Sequence, residues 1–232
     1  MAREVDQVIR VATLLPELLG TYGDGGNAVV MATRARRRGF DVELIEVGVD
    51  DPLPDANLFL LGGGEDGPQR HATEVLRARG LAEAYHAGAH VLAVCAGLQI
   101  LGTHFCVEGD DRLEGLGLVD AVTTRGAKRS VGELAVLVGG RHLVGFENHG
   151  GVTTLGEGVA PLGRVVRGRG SDGDVDGFRA PRLWATYAHG PVLALNPWFA
   201  DEILASVVSA ELAALPTVAD QLYAERLRAL GL

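Results

Sequence analysis

Through the first half of the chain, short apolar runs alternate with longer stretches of helical periodicity. Residues 8–15, 42–47, 58–61 and 90–94 read as strands. Between them, residues 26–38, 69–87 and 98–105 carry apolar positions at helical spacing. The strands are continuously apolar rather than alternating, which predicts a parallel sheet covered by helices on both faces. Beyond about residue 112 the texture changes. Segments 116–122, 134–137, 143–146 and 163–166 are short, apolar and separated by Gly-rich turns, so they read as antiparallel strands appended to the parallel core. One more apolar strand, 183–187, precedes two closing helices over 197–212 and Val218–Leu230. The expected fold is therefore α/β, with a mostly parallel sheet and antiparallel additions in the second half. With no linker-like stretch and no internal repeat, a single domain over residues 1–232 is expected.

Composition narrows the function classes. The 232 residues are 47% hydrophobic, enough to bury a substantial core, and the formal net charge is −9. An acidic surface argues against nucleic-acid or anionic-membrane binding. The local cluster Arg34, Arg36, Arg37 and Arg38 reads as a solvated helix face. No apolar run reaches the ~18 residues that a membrane span needs, and the N-terminal residues lack the order of a signal peptide. Two cysteines make no disulfide framework, so a cytoplasmic setting with free thiols is expected.

One of those thiols ends a strand. In "VLAVCAGLQILG" an apolar run stops at Cys95, small residues follow, and a helical pattern resumes. A tight turn of this kind at the carboxyl end of a buried parallel strand projects one side chain into the crevice where α/β proteins place ligands. The helix beginning at Ala96 would lower the thiol pKa and stabilise an oxyanion. Ala93 stands where the first Gly of a G-x-S-x-G elbow would be. Cysteine is also among the most buried residue types, so this turn alone leaves two readings open, nucleophile or core thiol. A nucleophilic cysteine needs a base. Of seven histidines, His189 stands out, because it follows the strand "LWATYA" directly before Gly-Pro. The "LLGGGEDGPQ" loop, with Gly63 and Gly64, permits close approach of a substrate and aims backbone N–H groups at it. An ordinary Gly-rich turn would look the same. The G-x-G-x-x-G match at residues 168–173 is followed by no helix and reads as a polar turn. There is no G-x-x-x-x-G-K-[ST] loop and no metal-ligand spacing.

Together, Cys95 in "VCAGLQILG", the "GGGEDGPQ" loop and the strand-terminal His189 resemble the class I (triad-type) glutamine amidotransferases. "YGDGGN", "GFENHGG" and "YAHGPVLALNP" resemble the cobyric-acid-synthase-like branch, and more closely the glutaminase subunits of lipid II isoglutaminyl synthase (GatD type). The resemblance covers nearly the whole chain and implies a three-layer α/β/α flavodoxin-like fold. It implies hydrolysis of L-glutamine through a Cys95 thioester, with His189 as acid and base and the N–H groups of Gly64 and Ala96 as oxyanion donors. Gln99 and Gly63 would line the glutamine pocket, and Arg129 would hold the substrate, with Lys128 as the fallback. Ammonia would pass to a Mur-ligase-like (MurT-type) synthetase subunit that carries ATP and magnesium, this chain holding no cofactor of its own and no fused synthetase domain. A corrinoid acceptor, or a non-catalytic binding module, are the alternatives. Relatives carry His-Pro-Glu where this chain has His189-Gly190-Pro191. The acid that orients the imidazole is therefore missing from its usual place and is expected from the partner. No separate roles follow for Glu147, Asn148 and His149.

Overall fold

The computed structural model describes residues 8–107 and 112–232. The first half holds strands β1 (Ile9–Leu14), β2 (Val42–Val47), β3 (Leu58–Leu61) and β4 (His90–Val94). Helices α1 (Pro16–Leu19), α2 (Gly26–Arg36), α3 (Asp66–Ala78), α4 (Leu81–His86) and α5 (Ala96–Leu101) connect and follow them. The second half adds β5 (His104–Cys106), β6 (Arg112–Glu114), β7 (Ala121–Val138), β8 (Arg141–Leu155) and β9 (Gly163–Arg167). It continues through β10 (Val175–Asp176), β11 (Phe178–Ala180) and β12 (Leu183–Thr186) to α6 (Val192–Leu195), α7 (Pro197–Val207) and α8 (Val218–Leu230).

One sheet has the order β11-β12-β4-β3-β1-β2, parallel throughout except for β11 at its edge. Read from β2, its parallel strands have the order of a flavodoxin-like sheet, with the switch in direction between β1 and β3. Strands β3, β4 and β12 are buried along their whole length, which is why their sequences lack alternation. Helices α2, α6 and α7 pack together, and α1, α3, α4 and α5 form a second connected group. The later strands form a second sheet, β10-β9-β7-β5-β6, with β8 paired to β7; it is antiparallel except where β5 meets β7. The expected α/β architecture thus holds, but the additions build a sheet of their own rather than an extension of the first.

Several expected boundaries move, each for a local reason. The helix over 69–87 breaks at Gly80, whose φ of +74° leaves the helical region. The helix over 98–105 stops at Leu101, and Phe105 turns into β5, where it is fully buried. Segments 134–137 and 143–146 are the apolar parts of two much longer strands, 18 and 15 residues, joined at Gly139-Gly140. The stretch "TTRGAKRSVGE" is mostly exposed, so it carries no hydrophobic pattern even though it is strand. The helix predicted over 197–212 ends at Val207.

The arginine cluster needs a larger correction. Arg34 is only 5% exposed, and its guanidinium makes two bonds of 2.6 Å to the Asp201 carboxylate on α7, which Arg38 also reaches at 2.8 Å. Arg34 and Arg38 thus form an ion-paired junction with α7, while Arg36 and Arg37 are exposed to solvent as expected. Replacing Asp201 with Ala leaves the buried Arg34 charge uncompensated. The expected cost is about 3–5 kcal/mol of stability, read as a lowered midpoint in thermal or urea unfolding.

Candidate active site

Four chain segments end side by side at the carboxyl edge of the parallel strands, the edge where ligands bind in open α/β sheets. Asp24 lies in the β1–α2 connection, Gly62–Gly64 follow β3, Cys95 follows β4, and His189 lies three residues beyond β12. Strands β4 and β12 are parallel neighbours, and the Cys95 N–H donates to Thr186 C=O at 2.9 Å.

Cys95 has φ 52° and ψ −104°, a conformation that non-glycine residues avoid and that costs on the order of 1–3 kcal/mol. Its left-handed backbone is the strained strand-to-helix elbow expected of a displayed nucleophile. Gly97 makes the turn possible. A Cβ there would stand 2.7 Å from Leu61 Cβ and 3.1 Å from the Leu61 carbonyl, so α5 could not seat on the end of β3.

The imidazole that sequence singles out is buried and closely packed. His189 is 0% exposed, and its Nδ1–H donates to Asp24 Oδ2 at 3.0 Å. The same carboxylate oxygen accepts the Gly63 N–H at 2.9 Å. A Cβ on Gly63 would come within 2.6 Å of His189 Cε1, so only glycine allows the imidazole and the loop to approach this closely. The ring stacks on Phe146 and meets Tyr22 edge-on, with centroids 5.4 and 4.8 Å away. His189 and Phe146 also exchange both backbone hydrogen bonds, at 2.8 and 3.2 Å, across an isolated bridge between the two sheets. With Nδ1–H committed to Asp24, Nε2 carries the free lone pair; it is buried and has no hydrogen-bond partner among the described residues. The orienting acid is therefore in this chain, within "YGDGGN", and is not left to a partner. Sequence reasoning missed it, although an Asp among glycines just past the end of β1 sits where the fold gathers its site residues.

A small pocket of about 100 Å³ opens beside the thiol, lined by Gly64, Glu65, Gln69, Cys95, Ala96, Gln99, Arg125 and Arg129, and by the 148–151 segment of β8. Gln99 belongs to a buried chain of polar groups. Its Oε1 accepts from Gln69 Nε2 at 2.9 Å, and its Nε2 donates to the Tyr187 hydroxyl at 3.1 Å. The Tyr187 hydroxyl continues to Thr153 at 2.7 Å, and Thr153 to Thr123 at 2.8 Å. A fully connected network of this kind fixes the orientation of the Gln99 amide. Arg129 Nε donates to Asn148 Oδ1 at 2.5 Å, and the Asn148 amide in turn donates to the Tyr22 hydroxyl. Arg129 is thus tied, through Asn148 and Tyr22, to the aromatic cover of His189.

The "FENH" residues acquire distinct contacts. Glu147 accepts the N–H groups of Arg169 and Gly170, both at 2.8 Å, and lies 3.3 Å from His149 Nε2. Burial works against its charge, but these donors outweigh burial and hold its carboxyl below the usual range. His149 stacks on Tyr187 at 3.8 Å. The structure brings Cys95, Ala96, Gln99, Gly64 and Arg129 to one pocket, whereas Gly63, Lys128 and the fully buried His189 are not part of its lining. Gly63 spends its N–H on Asp24 instead. Cys106 does line the pocket, which its sequence did not suggest.

One electrostatic expectation is reversed. Burial, followed by the nearby Asp24 charge, pushes the Cys95 thiol up to about 12, although the Ala96 N–H and Arg129 oppose this. The helix terminus does act in the expected direction, but desolvation outweighs it. Burial thus favours the protonated form of the unliganded thiol.

This elbow, base and carboxylate on a flavodoxin-like sheet define a class I glutamine amidotransferase fold, and solved structures agree. A chain from the structure of PurLQS from Thermotoga maritima aligns with a TM-score of 0.59 over 88% of this chain and 97% of its own, at 18% identity. Another solved structure, of a glutamine amidotransferase, gives 0.58 over 85% and 98%, at 20% identity. Residues 10–197 match the CobB/CobQ-like glutamine amidotransferase domain, and the chain belongs to that family. It is 33% identical to the lipid II isoglutaminyl synthase subunit GatD of Staphylococcus aureus, over 82% of this chain and 80% of that one. The GatD subunit of Streptococcus pneumoniae is 30% identical over 81% and 76%. Cobyric acid synthase of Streptomyces coelicolor is 31% identical over 80% of this chain but only 34% of its own length. The chain is a glutamine amidotransferase, a glutaminase by activity. Among the described residues no helix is long and apolar enough to cross a membrane.

Proposed function

We propose that the whole chain acts as one glutaminase unit of a two-subunit, cytoplasmic amidotransferase of the GatD type. The observation that carries the catalytic part is the Asp24–His189 pair at 3.0 Å beside the strained Cys95 elbow. As a glutamine carboxamide enters the pocket, His189 Nε2 takes the Cys95 proton and the sulfur attacks the side-chain carbonyl. The oxyanion is met by backbone N–H groups at Ala96 and Gly64, each donor contributing about 3–4 kcal/mol. The imidazolium, steadied by Asp24, then protonates the departing ammonia. In the second half His189 activates water against the γ-glutamyl thioester, and glutamate and free thiol are regenerated. Arg129 holds the amino-acid end of the substrate, and Gln99 lines the carboxamide side.

The released ammonia passes to a Mur-ligase-like (MurT-type) ATP-dependent partner, which carries the ATP and magnesium and converts the D-glutamate of lipid II to D-isoglutamine. Likeness to two GatD subunits over about four-fifths of this chain supports this acceptor. The test is affinity purification of the tagged chain from its native host. A Mur-ligase-like protein should co-purify, and the complex should release glutamate from glutamine. Co-purification of a corrin-amidating synthetase instead overturns the acceptor while leaving the glutaminase chemistry standing.

A further inference from the structure

The glycine-rich turn at residues 168–173 takes no part in the chemistry described above, yet it is built as an anion site. Its Arg169 and Gly170 N–H groups donate to the two oxygens of Glu147, each at 2.8 Å. Gly168, at φ +88°, clears the space, since a Cβ there would stand 2.8 Å from Glu147 Oε1. Glu147 Oε2 in turn lies 3.3 Å from His149 Nε2, and His149 Nδ1 lies 2.9 Å from the Gly151 carbonyl oxygen. A carbonyl oxygen only accepts, so Nδ1 carries a proton. A carboxylate that takes two backbone N–H groups, and is held below the usual range by such donors, also only accepts, so Nε2 carries one as well. We infer that His149 is a buried imidazolium, kept charged by Glu147 in its glycine-rich cradle, and that this ion pair positions the β8 wall of the Cys95 pocket.

The wall needs such a device because the sheet does not hold it. Regular pairing of β7 with β8 is interrupted between Arg125–Gly151 and Ser130–His149. Gly150 and Gly151 line the pocket at that break and have no side chains to anchor them. The His149 ring spans the gap instead, bonded to Glu147 two residues before it and to Gly151 two residues after. The two side chains are 1% and 5% exposed, so water does not compete for these bonds. Tolerance at the wall is small, since a Cβ on Gly151 would meet Gln99 Nε2 at 2.7 Å and the Tyr187 hydroxyl at 3.1 Å. Glu147 favours the charged ring from its own strand, and Asp176 does so from β10, within electrostatic reach. Burial pushes the Asp176 carboxyl up to about 6, so it is ionised at neutral pH. The Tyr187 ring stacks on the imidazole with centroids 3.8 Å apart, an arrangement that suits a cation. Arg125 and Arg129, which line the same pocket from β7, work against it. A neutral ring would point a lone pair at the Gly151 carbonyl or at the carboxylate, and one end of the clamp would open.

The kinetic part of this inference rests on the glutaminase reading; the charge on His149 does not. Nitrogen NMR of the full chain labelled with 15N-histidine reads the ring directly, with His149 assigned by its loss in His149→Phe. Both ring nitrogens should be protonated at pH 7.5, and an unprotonated nitrogen there overturns the inference with no variant needed. In Glu147→Gln the ring should have lost one proton at the same pH. A ring still doubly protonated in that variant would show that Glu147 does not keep it charged, and counts against the inference. Glutamate release by the chain in complex with its synthetase partner tests the positioning. The ratio of the Glu147→Gln KM for glutamine to the unmodified value should grow about tenfold between pH 6.5 and 8.5, because only the variant loses the clamp as pH rises. A ratio that does not vary with pH marks a purely structural residue and overturns the positioning claim. His149→Phe keeps the stack on Tyr187 and removes both donors. It should raise KM about tenfold with kcat little changed, and an unchanged KM overturns the claim even where Glu147→Gln does not fold. Absence of glutamate release by the unmodified complex is a separate result, which removes the glutaminase reading itself.

Discussion

Asp24→Asn is expected to lower kcat for glutamine hydrolysis by about 10²–10⁴ while leaving the fold in place. The magnitude follows from what such a substitution does to a buried imidazole–carboxylate pair. Asp24 Oδ2 accepts from both His189 Nδ1 and Gly63 N–H. An asparagine whose amide oxygen takes the place of Oδ2 can still accept both N–H groups, but it is neutral. The imidazolium formed during turnover therefore loses its counter-charge, and proton transfer from Cys95 to His189 becomes harder. Stopped or initial-rate assays of glutamate release, with the synthetase partner present, measure this. Wild-type activity in Asp24→Asn would mean that a carboxylate from elsewhere orients His189.

Removing the nucleophile should be more severe. Cys95→Ala or Cys95→Ser, and His189→Ala, should abolish glutamate release, because each breaks a unit whose members act together. The unmodified protein offers a companion measurement. Since burial and Asp24 push the Cys95 thiol up to about 12, its alkylation by iodoacetamide in the unliganded chain should rise about tenfold per pH unit between pH 7 and 9. It should not level off there. Peptide mass spectrometry separates Cys95 from Cys106, and a plateau for Cys95 near pH 8 would contradict a desolvated resting thiol. The glutamine-mimicking 6-diazo-5-oxonorleucine should label Cys95 despite its low resting reactivity, since the substrate-like group brings the thiol into contact with its base.

The parallel core was legible because burial wrote itself into it. Leu58–Leu61 and His90–Val94 are apolar at almost every position since helices cover both faces. Cys95 and His189 were legible as strand-terminal residues beside glycine for the same reason. Asp24 was not, because nothing in "YGDGGN" shows that the β1–α2 connection folds back to within 3.0 Å of a histidine 165 residues away. Hydrophobic patterning says where strands lie and is silent on what a polar loop reaches. The exposed part of β7 escaped by the converse route: "TTRGAKRSVGE" is strand through its pairing with β8, while its side chains mostly face water. Thiol acidity was misjudged because a helix terminus can be seen in a sequence, whereas desolvation depends on everything packed around the sulfur.

The main-chain bridge between His189 and Phe146 bears on how small this enzyme can be made. Both of its hydrogen bonds cross from the end of the parallel sheet to the long hairpin, and the Phe146 ring lies against the imidazole they position. The flavodoxin-like sheet supplies thiol, imidazole and carboxylate, yet the imidazole is fastened by a strand that this sheet does not contain. Trimming the second sheet to obtain a minimal hydrolase would cut away the fastening while sparing Cys95, His189 and Asp24. Such a core would keep its reactive groups and lose their alignment.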